Sequence, residues 1–160
     1  MNRLKEAIAT FFYTGYVPAA PGTASAALAA VISLAILYFF PAPGCWIILG
    51  AAVIFTLLGN VFTAKWAQRR FNSADPQRMV IDEALGMFIS VFLIPTKYPL
   101  AIVAAGFVLF RLFDIKKPFP VRRVERLPGW LGIALDDAAA GIYSNIVLQA
   151  GFLCYNALVR

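Results

Sequence analysis

Two almost unbroken apolar runs, set back to back, restrict this chain more than any other feature. The first covers Ala24 to Phe40 and is ended by Pro41, Pro43 and Gly44. The second covers Cys45 to Ala64 and closes on Lys65, Arg69 and Arg70. A helix that crosses a bilayer needs roughly 17–25 apolar residues, and each run is near that length. Neither shows the balanced 3.6-residue amphipathicity by which a soluble helix separates core from water. The pair is therefore predicted to form a helical hairpin in lipid. Composition agrees. The chain is 61% hydrophobic and 14% charged, with a mean hydropathy of +0.77, whereas soluble domains are about 45–50% apolar and about 25% charged. Its 160 residues are enough for a single domain over 1–160.

Three more apolar runs follow. Ala84 to Ile94 and Leu100 to Phe113 are separated by a turn at Pro95–Pro99. At about 1.5 Å per helical residue they reach only about 17 and about 21 Å, so they either extend into flanking polar residues or penetrate only part way; the full span is the preferred reading. The last run, Ala138 to Val159, is long enough by itself. Between them lies the polar segment Asp114–Trp130, broken by Pro118, Pro120 and Pro128. Residues Leu4 to Phe12 suit a short amphipathic helix on the membrane surface. The predicted fold class is all-α, a helical membrane bundle of about five apolar helices with a short N-terminal amphipathic helix. Ala7–Phe12 is too short and too aromatic for a cleavable signal core. Cys45 and Cys154 have no partner motif and are expected to be small buried hydrophobes.

Charge divides the two faces of this bundle. With a cytoplasmic N-terminus and five spans, Arg3, Lys5, Lys65, Arg69, Arg70, Arg78, Arg111, Lys116, Lys117, Arg122, Arg123 and Arg126 fall inside. Only Lys97 and Arg160 fall outside, so twelve of the fourteen basic residues share one side. Because these cations flank apolar runs, the net charge of +6 points to anionic lipid headgroups rather than nucleic acid. The same topology places all eight acids inside: Glu6, Asp75, Asp82, Glu83, Asp114, Glu125, Asp136 and Asp137. Five of them, Asp82, Glu83, Asp114, Asp136 and Asp137, sit at ends of apolar runs. Capping of helix N-termini accounts for Asp82–Glu83 and Asp136–Asp137 one pair at a time, but not for Asp114, which ends a run. Gathered carboxylates repel unless a cation compensates them, and magnesium suits an all-oxygen set.

Spacing suggests how the acids meet. In Asp82-Glu83-x-x-Gly86 and Asp136-Asp137-x-x-x-Gly141, Asp82 and Asp137 each lie four residues from a glycine, on the same helix face. Small residues let membrane helices approach closely, so two helices meeting at these glycines would bring their carboxylates to one point. Arg111 stands inside an apolar run with Asp114 three residues on. It either forms a structural pair with Asp114 or, with Lys116 or Lys117, holds a phosphate. Pro21-Gly22-Thr23 precedes the first long run. Thr23 is a plausible N-cap, and the helix start is a potential anion site. With no histidine in the chain, histidine phosphatases, Ser-His-Asp triads and histidine metal ligands are excluded. Neither cysteine begins a Cys-x5-Arg loop, and no glycine-rich nucleotide motif is present. Any catalysis must come from carboxylates, basic residues and a metal.

Taken in order, Pro21-Gly22-Thr23, Asp82-Glu83-x-x-Gly86-Met87, Phe110-Arg111-x-Phe113-Asp114-x-x-Lys117-Pro118-x-Pro120 and Gly132-Ile133-x-x-Asp136-Asp137-x-x-Ala140-Gly141 resemble the phosphatidylglycerophosphatase A family over about residues 15–145. The resemblance implies a magnesium-dependent lipid phosphatase of the bacterial inner membrane, its site facing the cytoplasm, that converts phosphatidylglycerophosphate to phosphatidylglycerol. On this reading Asp82, Glu83, Asp136 and Asp137 hold one or two Mg2+ ions with Asp114 nearby. Thr23, Arg111, Lys116 and Lys117 bind the substrate phosphate. Water or an aspartate is the nucleophile. Two departures stand out. Ser25-Ala26 replaces a further Gly-Ser of the family pattern, and Trp130 stands where glycine is common, implying a stiffer loop before Gly132. The competing readings are a cation transporter, whose acids should lie near the bilayer midplane, and a non-catalytic membrane or scaffold protein.

Overall fold

The computed structural model describes residues 2–95, 97–119, 121–124 and 130–158. Glu125, Arg126 and Arg160, counted in the charge argument, and the breakers Pro120 and Pro128 lie outside these residues. The described chain is all helical: α1 (Asn2–Ala9), a single 3-10 turn (Thr14–Tyr16), α2 (Pro21–Phe39), α3 (Gly44–Phe71), α4 (Ile81–Val91), α5 (Pro99–Lys116), the short α6 (Val121–Val124) and α7 (Trp130–Leu158).

Local chemistry accounts for most boundaries. The fixed φ of proline suits the first helical position, and Pro21 and Pro99 each open a helix. Thr23 is consequently not the N-cap. Ala20 occupies that position, and Thr23 lies within the first turn of α2. α3 runs through its basic end and stops at Asn72 in the left-handed region, φ 51°. At 28 residues it is about 42 Å long, longer than the roughly 30 Å hydrocarbon layer. α1 ends at Ala9, short of the expected Phe12, because Phe11, Phe12 and Tyr13 all adopt positive φ and reverse the chain.

The largest departure from the sequence reading is at α7. It begins at Trp130, so Trp130 and Gly132 belong to a helix and not to a stiff loop, and Asp136 and Asp137 lie about two turns inside it. Helix capping cannot explain these two acids.

Among the described residues three helices are long and apolar enough to cross a membrane, α2, α3 and the Leu131–Leu158 portion of α7. Their outward faces carry exposed Val31, Tyr38, Ile47, Leu58, Ile146 and Leu153, as expected of surfaces turned to lipid. Cys45 is buried as anticipated, but Cys154 is exposed on α7. α5 extends into its polar flank and reaches about 27 Å. α4 does not extend. Its 11 residues cover about 16 Å, short of the preferred full helical span, and the count of about five apolar membrane helices is not confirmed.

Instead α4 is the centre of the bundle, packed against α2, α3, α5 and α7. Nine of its residues are buried, among them Leu85, Met87 and Phe88. The chain leaves the helix at Phe92 and reaches Ile94, whose carbonyl accepts from Trp46 Nε1 at the start of α3, 3.4 Å. Inside a bilayer, carbonyls freed by such a break need a protein donor. Asn145 of α7 supplies it. Its Nδ2 lies 3.0, 3.3 and 2.7 Å from the carbonyl oxygens of Ile89, Ser90 and Phe92.

Candidate active site

α4 and α7 cross at two glycines, as the four-residue spacing anticipated. A Cβ on Gly141 would lie 2.4 Å from the Gly86 carbonyl oxygen, and one on Gly86 would lie 2.7 Å from the Asp137 carbonyl oxygen. Only hydrogen at both positions permits this approach. It sets the first turn of α4 beside the second turn of α7, and carboxylate oxygens of Asp82, Glu83 and Asp137 fall within 4.8 Å of one another. α2 closes the arrangement from a third side. A Cβ on Gly22 would lie 2.2 Å from Glu83 Oε1, so the missing side chain makes room for the carboxylate. The Ser25 hydroxyl, one of the departures from the family pattern, donates to the Val80 carbonyl at 2.5 Å and fixes α2 to the residue before α4.

The result is a polar cleft of about 430 Å3 at one end of the bundle. Thr23, Asp82, Glu83, Arg111, Asp114, Lys117, Asp136 and Asp137 all line it. Of the residues proposed from sequence, Lys116 alone does not, and it is exposed. α5 ends at Lys116, and Lys117 takes a left-handed φ of 42°. That turn sends the two neighbouring side chains in different directions.

The carboxylates divide into two kinds. Asp114 is paired with Arg111 at 2.5 Å, and Asp136 Oδ2 accepts from Lys117 Nζ at 2.8 Å. Asp82, Glu83 and Asp137 form no ion pair among the described residues. Glu83 Oε2 is inaccessible to solvent and has no hydrogen-bond partner. Among the described residues six carboxylates line the cleft, Asp75 included, against the two cations Arg111 and Lys117. So large an excess of like charge in a half-buried cleft is costly without a counter-cation. A hard cation with oxygen ligands is what an orphaned carboxylate oxygen among three converging acids fits. Arg111, which also lines the cleft, has a buried Nε with no hydrogen-bond partner among the described residues. The Arg111–Asp114 pair is therefore real, and both of its members also face the cleft.

The loop before α4 contributes a wall that the motifs did not indicate. Asp75, Pro76 and Gln77 line the cleft beside Ala19 and Ala20. Asp75 had been counted only as a charge, and no spacing in the polar stretch 68–78 marks Gln77.

Comparison with known proteins bears directly on this site. The profile of the phosphatidylglycerophosphatase A family matches residues 7–152, nearly the whole chain. The chain belongs to the phosphatidylglycerophosphatase A family. Named relatives agree. The phosphatidylglycerophosphatase A of Escherichia coli is 33% identical over 88% of this chain and 79% of its own length. That of Haemophilus influenzae is 35% identical over 89% and 85%. A putative phosphatidylinositol-3-phosphatase of Bacteroides thetaiotaomicron is 38% identical over 88% and 89%. No solved structure matches the chain significantly. All four motifs of the phosphatidylglycerophosphatase A pattern reach the cleft, through Gly22 and Thr23, Asp82 and Glu83, Arg111 to Lys117, and Ile133 to Asp137.

Proposed function

We propose that this protein hydrolyses the terminal phosphomonoester of phosphatidylglycerophosphate, giving phosphatidylglycerol and inorganic phosphate. We further propose that it needs magnesium, and that its cleft opens to the cytoplasmic side of a bacterial inner membrane. Membership of the family supports the substrate. The convergence of Asp82, Glu83 and Asp137, with Glu83 Oε2 unpartnered, is the observation that carries the metal reading. These three carboxylates would hold the cation. Asp136 would act one step removed, tying Lys117 into the cleft through their 2.8 Å bond. Magnesium, when bound, supplies Lewis acidity to the phosphoryl group and makes water a better nucleophile. The chain's own cations do the rest. Arg111 and Lys117 draw the phosphate in and offset charge that builds on its oxygens in the transition state. Asp114, at 2.5 Å from Arg111 Nη1, holds that guanidinium in place. The first turn of α2, with Thr23 in the cleft wall, adds backbone dipoles of favourable sign for an anion.

The basic residues support this orientation. Lys65, Arg69 and Arg70 at the end of α3 and Lys117 at the end of α5 stand at the same end of the bundle as the cleft, and basic ends favour the cytoplasm. A transporter would hold its acids near the midplane, whereas these open to one end.

The test is phosphate release from phosphatidylglycerophosphate by the purified protein in neutral detergent, with magnesium and then with a chelator. Release with magnesium that stops with the chelator is the expected result. No release from folded, magnesium-replete protein would overturn the substrate assignment. Because one relative bears the name of a phosphoinositide phosphatase, phosphatidylinositol 3-phosphate belongs in the same assay. Faster turnover of that lipid would transfer the assignment to it.

A further inference from the structure

A second recess adjoins the cleft. The loop residues Asp75, Pro76 and Gln77 line the cleft on one side and, on the other, a recess whose far wall carries Arg70 and Arg78. Both guanidinium groups pack on the Phe71 ring. The Arg70 and Arg78 Cζ atoms lie 6.0 and 5.7 Å from the centre of Phe71. Arg78 is also 5.1 Å from the Tyr16 ring. Like charges that line one recess repel, and neither arginine forms an ion pair among the described residues. The carboxylate of Glu6 is engaged by the Tyr16 hydroxyl. That hydroxyl is held above its ordinary pKa mainly by Glu6 and is opposed by the charges of Arg78 and Arg70. Asp75 lines the same recess, and two guanidinium groups carry more donors than one carboxylate can satisfy.

Their depth in the bilayer matters. α3 outlasts the hydrocarbon layer by about 12 Å, so its last turns stand among headgroups. Exposed Phe12, Tyr13 and Tyr16 beside them are residues that favour this interface.

We propose that Arg70 and Arg78 form a second anion subsite that binds the phosphodiester of a lipid substrate whose terminal phosphomonoester occupies the cleft. This rests on the lipid phosphatase reading and deepens it. A lipid with a phosphorylated polyol headgroup carries two phosphates with hydroxyl-bearing carbons between them. The protein offers the matching order: an anion-binding cleft, then the Asp75 carboxylate and Gln77 amide as partners for a hydroxyl, then two guanidinium groups. A lipid with a single phosphate, such as phosphatidate, can fill only one of the two. The subsite is therefore a specificity determinant and leaves the hydrolytic step itself unchanged.

The test is steady-state hydrolysis of phosphatidylglycerophosphate in neutral detergent by Arg70→Ala, Arg78→Lys and the double variant. Phosphatidate serves as a parallel substrate or, if it is not turned over, as a competitor. Charge-assisted hydrogen bonds of this kind correspond to about 10- to 100-fold in affinity. KM for the diphosphorylated lipid is expected to rise by about that factor while kcat falls at most about twofold, with the response to phosphatidate unchanged. Arg78 also packs on Tyr16 and Phe71, so Arg70→Ala decides if the other variants do not fold. An unchanged KM in folded Arg70→Ala, or an equal loss on both lipids, overturns the proposal. So does a KM effect seen only when phosphatidylglycerol is added to the micelles, which would mean that the arginines bind membrane lipid and not the substrate. Wild-type protein inactive on every phosphomonoester would remove the phosphatase reading, and this subsite with it. Active wild type with an unmoved substrate preference in the variants removes the subsite alone.

Discussion

Asp82, Glu83 and Asp137 do what a carboxylate rarely does inside a helical bundle: they face one another without a basic partner among the described residues. Loss of a residue that merely orients a metal ligand costs about 10–100-fold. Loss of a ligand should cost more, so Asp82→Asn is expected to lower phosphate release by more than about 100-fold while the protein still folds. Steady-state assay beside a thermal melt checks both. Lys117→Met should act differently, leaving Asp136 buried without its 2.8 Å partner, and loss of stability should accompany loss of activity. Much of this was legible in the sequence because acids are so scarce. With eight in the chain, those at the ends of apolar runs stood out. What could not be read was which of two neighbours would serve. Lys116 and Lys117 are chemically the same, and the left-handed turn at Lys117 decides between them. Gln77 was hidden for the opposite reason, since a neutral amide in a polar loop has no signature.

Elements position these residues through close contacts that differ in what a new side chain would strike. At Gly141 an added Cβ meets the backbone of Gly86, which cannot yield. At Gly22 it meets the end of the flexible Glu83 side chain. Gly141→Ala should therefore lower thermal stability in detergent by about 1–3 kcal/mol, as overpacking does. Gly22→Ala should leave the melt nearly unchanged and instead raise the magnesium concentration needed for half-maximal activity. Asn145→Leu tests the broken helix. It strips a donor from the carbonyls of Ile89, Ser90 and Phe92 and is expected to cost about 1–3 kcal/mol in the same melt. The glycine crossing was readable from the acid-to-glycine spacing. The start of α7 was not. Asp136 and Asp137 looked like the polar edge of an apolar run, whereas the equally apolar Trp130–Leu135 before them is already helical. Nor was the end of α4, because nothing between Val91 and Pro95 is a helix breaker and the donor that permits the break lies more than fifty residues away.

The whole molecule is a sheath of membrane-length helices around a short, buried α4 whose acidic first turn opens at one end. Hydropathy alone could place α2, α3 and α7. It could not distinguish α4 from them, because a helix enclosed by protein and a helix facing lipid are equally apolar. The orientation proposed here predicts that a membrane-impermeant thiol reagent applied to sealed, right-side-out membrane vesicles labels Lys97→Cys but not Arg69→Cys, with Cys45 and Cys154 first replaced by serine. The reverse pattern would invert the protein and put the cleft outside. If the carboxylates of α4 and α7 form one cation site that phosphate release requires, Mn2+ should bind there. Titration of the detergent-purified protein, followed by electron paramagnetic resonance, should show bound Mn2+ that magnesium displaces. In Asp137→Asn the binding should be lost together with phosphate release from phosphatidylglycerophosphate. Unchanged Mn2+ binding in that variant, or full activity without it, would contradict the account.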